Sequence, residues 1–121
     1  MTETDIQNLI KLEASRLGIR LWRNNVGALF DSNGRCLRYG LANDSASLNA
    51  VIKSSDLIGI KPVVVTQEMV GKTIGQFVAR EVKASNWIYK NTDREKAQKA
   101  FIDLINSLGG DAMFCTGEGT L

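Results

Sequence analysis

Apolar positions fall at two spacings along this chain. From residue 3 to 17, Ile6, Leu9, Ile10, Ala14 and Leu17 recur three and four apart, which gathers them on one helix face. Thr4 and Gln7 stand at capping-box spacing, Thr2 is an alternative cap, and Gly18 is a natural stop. Residues 19–22, 27–31 and 35–39 read as extended, with a turn at Ser32-Asn33-Gly34. Residues 40–55 are small and polar, with Leu48, Val51 and Ile52 as their few apolar points. They predict a long loop with room for one short helical turn, and loops of that length are more often functional than accidental.

Residues 56–60 and 63–65 are strand-like. A turn around 68–72 follows, and residues 73–83 read as a second strand. The last helix carries the clearest signal. Thr92 and Glu95 form a capping-box pair, Ala97, Phe101, Leu104, Ile105 and Leu108 make an apolar face, and Gly109-Gly110 ends it. Residues 112–116 predict a short closing strand. Helix, strands, helix, strand is the order of a mixed α/β sandwich with a central sheet.

Composition narrows the class. At 121 residues the chain predicts a single domain spanning 1–121. An apolar share of 44% excludes disordered, collagen-like and coiled-coil compositions. No apolar run approaches the ~20 residues of a membrane span, and the polar start predicts no secretory leader, hence a cytoplasmic protein. There is no histidine, which excludes Ser-His-Asp and Cys-His catalysis and His-ligated zinc. Cys36 and Cys115 form no CxxC pair and read as reduced thiols. Any bound metal would take oxygen ligands, so the expected cofactor is Mg²⁺ or Mn²⁺.

The net charge is only +2, but it is unevenly spread. Residues 80–101 hold six basic side chains (Arg80, Lys83, Lys90, Arg94, Lys96, Lys99) against three acids. Beside Trp87 and Tyr89, that excess fits contact with a phosphate backbone, with Lys90 and Arg94 as candidate DNA contacts; it also fits a solvated helix face.

The residues that suggest chemistry are Asp56, Glu81 and Lys83. Glu81 and Lys83 are two apart on an expected strand, so both project from one face. A carboxylate and an ammonium side by side suit phosphodiester chemistry. The carboxylate binds a cation, and the ammonium stabilises charge on the phosphate. The segment from Asp56 to Glu81 reads as a hairpin, which would return Glu81 beside Asp56. The two carboxylates and the Val82 carbonyl could then hold a cation that acidifies a bound water. Glu-x-Lys alone is also the pattern of a surface ion pair; its context strengthens the signal. Val70-Gly71-Lys72-Thr73 lacks the leading glycine of a phosphate loop and precedes no helix, which argues against nucleotide binding there.

Several short pieces follow one another in order: Thr-Glu-Thr-Asp-Ile-Gln at 2–7, Leu-Trp-Arg-Asn-Asn-Val-Gly at 21–27, Tyr-Gly-Leu at 39–41, Ser-Ser-Asp-Leu-Ile-Gly at 54–59, Phe-Val-Ala-Arg-Glu-Val-Lys at 77–83, and Gln98 through Gly-Gly at 109–110. In this the chain resembles the VRR-NUC (virus-type replication-repair nuclease) domains of the PD-(D/E)xK nuclease superfamily, in their short stand-alone form. The resemblance implies a restriction-endonuclease-like core, a central mixed β-sheet flanked by helices. It implies Asp56, Glu81 and the Val82 carbonyl as metal ligands, Lys83 as the catalytic lysine, and Glu3 as an acid that approaches the metal directly or through water. Gln98 would support the site, and Arg23 and Asn25 would contact the DNA backbone or brace the fold. The implied activity is Mg²⁺- or Mn²⁺-dependent cleavage of branched or flapped DNA by a homodimer, leaving a 5′-phosphate and a 3′-hydroxyl. The alternative is a catalytically silent DNA-binding module of the same fold. The link at 42–53 is longer than the family's usual one.

Overall fold

A computed structural model describes residues 2–117. The chain divides into two compact units, residues 1–59 and 60–121, and the described residues are mixed α/β.

The first unit opens with α1 (Glu3–Arg16). Its N-cap is Thr2, whose hydroxyl accepts from the Asp5 N–H while the Asp5 carboxylate accepts from the Thr2 N–H. Of the two candidate caps, Thr2 is therefore the one used, paired with Asp5. Those hydrogen bonds, the one from the Thr2 backbone foremost, hold the Asp5 carboxyl below its ordinary value. α1 packs on β1 (Arg20–Arg23), yet of its apolar stripe only Ala14 is fully buried. β2 (Gly27–Phe30) and β3 (Cys36–Tyr39) form an antiparallel hairpin, with Leu29 opposite Leu37. Its turn is fixed by Asp31, whose Oδ1 accepts from the N–H groups of Asn33 and Arg35. The polar stretch holds α2 (Ala46–Val51), capped by Ser45, as the sequence allowed. β4 (Leu57–Ile60) pairs with β1. Gly59 makes that pairing possible, because a Cβ there would collide with the Arg20 carbonyl oxygen.

The second unit is built on β5 (Val78–Val82), α3 (Asp93–Ser107) and β6 (Asp111–Cys115). β5 and β6 run parallel, with Glu81 opposite Phe114. A parallel pair requires a crossover connection, and α3 supplies it. α3 begins with the expected Thr92–Glu95 capping box. It ends where Gly109, at φ +94°, takes the left-handed conformation that a side chain would resist. The Asn106 side chain then clamps the turn into β6, donating to the Ala112 carbonyl and accepting from the Ala112 N–H. Ile102, Ile105 and Ala112 are buried here, Ile105 completely.

Three expectations need correction. The described residues form three two-stranded sheets, β1–β4, β2–β3 and β5–β6, in place of one central sheet. The hairpin expected between Asp56 and Glu81 is absent among them: β4 takes β1 as partner and β5 takes β6. Residues 63–65 and 73–77 are outside any strand, and a single 3₁₀ turn at Gln67–Met69 lies between them. Ladder pairing decides this. β5 finds its partner across α3, so the valine run at 63–65 has no strand to bond and stays exposed. The expected apolar face of α3 holds at Ile105, which is completely buried, and at Leu104 and Leu108, which are half-buried, while its Ala97 and Phe101 are exposed and Glu95 and Ile102 are buried.

Candidate functional site

In the second unit, Glu81 lies near the carboxyl end of β5 and Lys83 just beyond it, where ligands gather in open α/β sheets. The Lys83 N–H bonds the Cys115 carbonyl (2.9 Å), so the chain still tracks β6 at that point. Gln98, one turn into α3, joins the two side chains. Its Oε1 accepts from Lys83 Nζ at 2.7 Å, and its Nε2 donates to Glu81 Oε1 at 2.8 Å. The ammonium and carboxylate themselves are 3.8 Å apart. The shared amide thus fixes both charges without a close contact pair. The alternation argument correctly placed Glu81 and Lys83 on one face, and Gln98 meets them there. The Lys83 side chain is 15% exposed and Glu81's 38%; the lysine is sunk and the carboxylate reachable.

A cavity of about 420 Å³ adjoins the trio, lined by Glu81, Gln98, Arg94, Ala97, Phe101 and Ile102 among others. Two residues of the expected apolar face of α3, Ala97 and Phe101, therefore line this cavity. The basic excess is partly absorbed: Arg80 pairs with Asp111 at 3.1 Å and Lys99 with Asp103 at 2.8 Å. The hydrogen bond to Asp103, and then its charge, raise the Lys99 ammonium above its ordinary value. Lys90, Arg94 and Lys96 are exposed, so the first two keep their candidacy as phosphate contacts. Val82 is exposed as well.

In the first unit, Asp56 is exposed just before β4. Glu3 and Asp56 line one cavity of about 320 Å³, with Gln7 and Ser55. Arg23, Asn25 and Asp56 line another of about 310 Å³. The residue that organises this region is one the sequence reading passed over, Asn24. Its Nδ2 donates to Ser54 Oγ (2.8 Å) and the Ser55 carbonyl (2.9 Å), and its N–H donates to the Asp56 carbonyl (2.8 Å). Its Oδ1 accepts a longer bond from the Leu41 N–H, and Ser54 Oγ donates to the Leu41 carbonyl. Three of the sequence pieces, at 21–27, 39–41 and 54–59, therefore meet at one asparagine amide. Arg23 and Asn25, its exposed neighbours, flank the brace. An Asn between two charged or polar neighbours gives no sequence signal of that role.

Among the described residues, no three or more His, Cys, Asp or Glu side chains gather as a metal-holding cluster. No described helix is long and apolar enough to cross a membrane. Cys36 and Cys115 are both free thiols. Compared with known proteins, the chain matches no family model, no curated protein and no solved structure.

Proposed function

We propose that this chain is a divalent-cation-dependent DNA nuclease with a PD-(D/E)xK core of the VRR-NUC kind, acting in the cytoplasm. The observation that supports the reading is the Glu81–Gln98–Lys83 chain at the end of β5, beside a cavity that Arg94 lines. In the proposed reaction water attacks the phosphorus and the bond to the 3′ oxygen breaks. The products are a 5′-phosphate and a 3′-hydroxyl. Lys83 stabilises the negative charge that grows on the phosphoryl oxygens, and Gln98 holds it at that position. Lys90 and Arg94 contribute phosphate contacts that hold the strand.

A hard cation, Mg²⁺ or Mn²⁺, would neutralise phosphate charge and acidify the attacking water when bound. The donors fit it in kind: carboxylates and a carbonyl, no imidazole. In the second unit Glu81 and the Val82 carbonyl would be such donors; in the first, Glu3 and Asp56 line a cavity of their own.

Branched or flapped DNA is the substrate class of this reading, and a homodimer its assembly. One face of the β2–β3 hairpin supports a second copy: Leu29, Leu37 and Tyr39 are 62%, 49% and 46% exposed, a grouping of the kind that marks interaction surfaces. Light scattering should give twice 13.3 kDa; a monomer at micromolar concentration, with and without DNA, overturns the dimer.

The exposed Lys90 and Arg94, which could hold a phosphate backbone without chemistry, favour one second reading, a catalytically silent DNA-binding module. Incubation with linear, flap and four-way DNA at fixed salt, with and without Mn²⁺, separates the two. Mn²⁺-dependent cleavage supports the nuclease. Retention of DNA without cleavage supports the silent module, and neither binding nor cleavage overturns both.

A further inference from the structure

Glu95 is an acid at 5% exposure on the buried face of α3. Its Oε1 accepts from the N–H groups of Thr92 (3.0 Å) and Lys90 (3.1 Å), and its Oε2 from the indole Nε1–H of Trp87 (2.9 Å). Those hydrogen bonds, the Thr92 backbone foremost, hold its carboxyl below the ordinary value. The capping box explains one of these bonds. It does not explain why the same carboxylate also grips an indole eight residues away.

The geometry of Trp87 gives the reason. A turn closed by the Trp87 N–H on the Ala84 carbonyl (2.9 Å) folds the chain back just after Lys83. The indole packs against Phe114 of β6, centroids 4.8 Å apart, and edge-on to Tyr89 at 6.1 Å. Lys83 Nζ then lies over both rings, 5.7 Å from the Trp87 centroid and 5.9 Å from that of Phe114. Both distances are inside the ~6 Å reach of a cation–π contact. Two aromatic rings thus adjoin the ammonium, and Gln98 Oε1 accepts a hydrogen bond from it at 2.7 Å.

We propose that Trp87, set by Glu95, is a positioning residue for Lys83: the indole walls the ammonium and directs it toward Gln98 and Glu81. The consequence for cleavage rests on the nuclease reading; the walling of the ammonium does not. Trp87 acts through the lysine and needs no contact with DNA.

The test is made on the full chain, with W87A, W87F and E95Q compared with the unaltered protein. Each is labelled with a small acylating reagent at fixed pH, and mass spectrometry follows Lys83 against the exposed Lys96 in the same molecule. In the unaltered protein Lys83 should label more slowly than Lys96. The Lys83-to-Lys96 ratio should rise severalfold in W87A, which removes the ring that shields the amine from the reagent. It should rise by a smaller factor in E95Q, where the ring remains but loses its tether. An unchanged ratio in both overturns the proposal, as does a Lys83 that labels as fast as Lys96 at the outset. If W87A does not fold, W87F and E95Q carry the same comparison, and an unchanged ratio in those two is equally fatal. Loosening of the whole unit would raise every lysine together and appear in thermal melting. On a cleavable DNA, W87F should lower kcat and leave KM unchanged; equal falls in binding and rate would make Trp87 a DNA contact instead. Absence of cleavage by the unaltered protein would overturn the nuclease reading, while the labelling ratio would still decide the role of Trp87.

Discussion

Replacing Lys83 by Met removes one ammonium and keeps a side chain of similar length. Its cost to the fold can be worked from its neighbours. The lost hydrogen bond to Gln98 Oε1 (2.7 Å) is worth about 1 kcal/mol in a partly exposed setting. The ion pair with Glu81 is long at 3.8 Å and the carboxylate is 38% exposed, so solvent screening leaves it little, about 0.5 kcal/mol at most. The cation–π contacts with Trp87 and Phe114 are lost too, about 0.5–1 kcal/mol. Against these, the thioether would lie beside the same rings, and sulfur–aromatic contacts contribute about 0.3–1.5 kcal/mol. The balance is a loss of about 0.5–2 kcal/mol, a melting shift of no more than roughly 10 °C for a chain of this size. The effect on reaction differs in kind. A positioned charge that meets the phosphate most strongly in the transition state is worth ~10²–10³ in rate. DNA affinity should change little, and its salt dependence by at most about one phosphate contact. The assay is single-turnover cleavage of flap and four-way DNA with Mn²⁺, beside fluorescence anisotropy and a thermal melt. Cleavage within about threefold of the unaltered rate would remove Lys83 from the chemistry, since loss of a transition-state contact costs more. Joint collapse of melting temperature, binding and cleavage would make it a structural residue and refute the reasoning.

Three further outcomes follow from the same geometry. Calorimetric titration should show Mn²⁺ binding that Glu81→Gln weakens severely; undiminished binding in Glu81→Gln excludes that carboxylate as a ligand. Asn24→Ala removes two good side-chain hydrogen bonds, to Ser54 and Ser55, and should cost about 2 kcal/mol, read by denaturant unfolding; an unchanged midpoint would show that the brace carries no stability. Glu95 has a folded-state pKa below its ordinary value, so its contribution is full above the unfolded value of ~4.3 and is lost as pH falls through the folded one. The melting gap between the unaltered protein and Glu95→Gln should therefore be widest at neutral pH and close in acid; a gap that widens in acid would reverse the assignment.

What the sequence determined by itself is what neighbouring residues decide among themselves. The Thr92–Glu95 box starts α3 because a hydroxyl and a carboxylate three apart satisfy the first free N–H groups. Asp31 closes the hairpin turn by bonds to residues two and four ahead. Glu81 and Lys83 share a face because strand side chains alternate. Each rests on a fixed offset along the chain, so each is legible in it. The tertiary structure decided what offsets cannot encode. The choice of β6 over β4 as partner for β5 is a competition between strands far apart in sequence, and no periodicity shows its winner. Which side of α3 is buried depended on where β5 and β6 lie, so Ile102 and Glu95 went in while Phe101 came out to line the cavity. Asn24 is unmarked as a residue and becomes a brace only where residues 41, 54 and 55 converge on its amide. Trp87 joins Lys83 the same way, because Phe114 and Glu95, from two other elements, fix the indole between them.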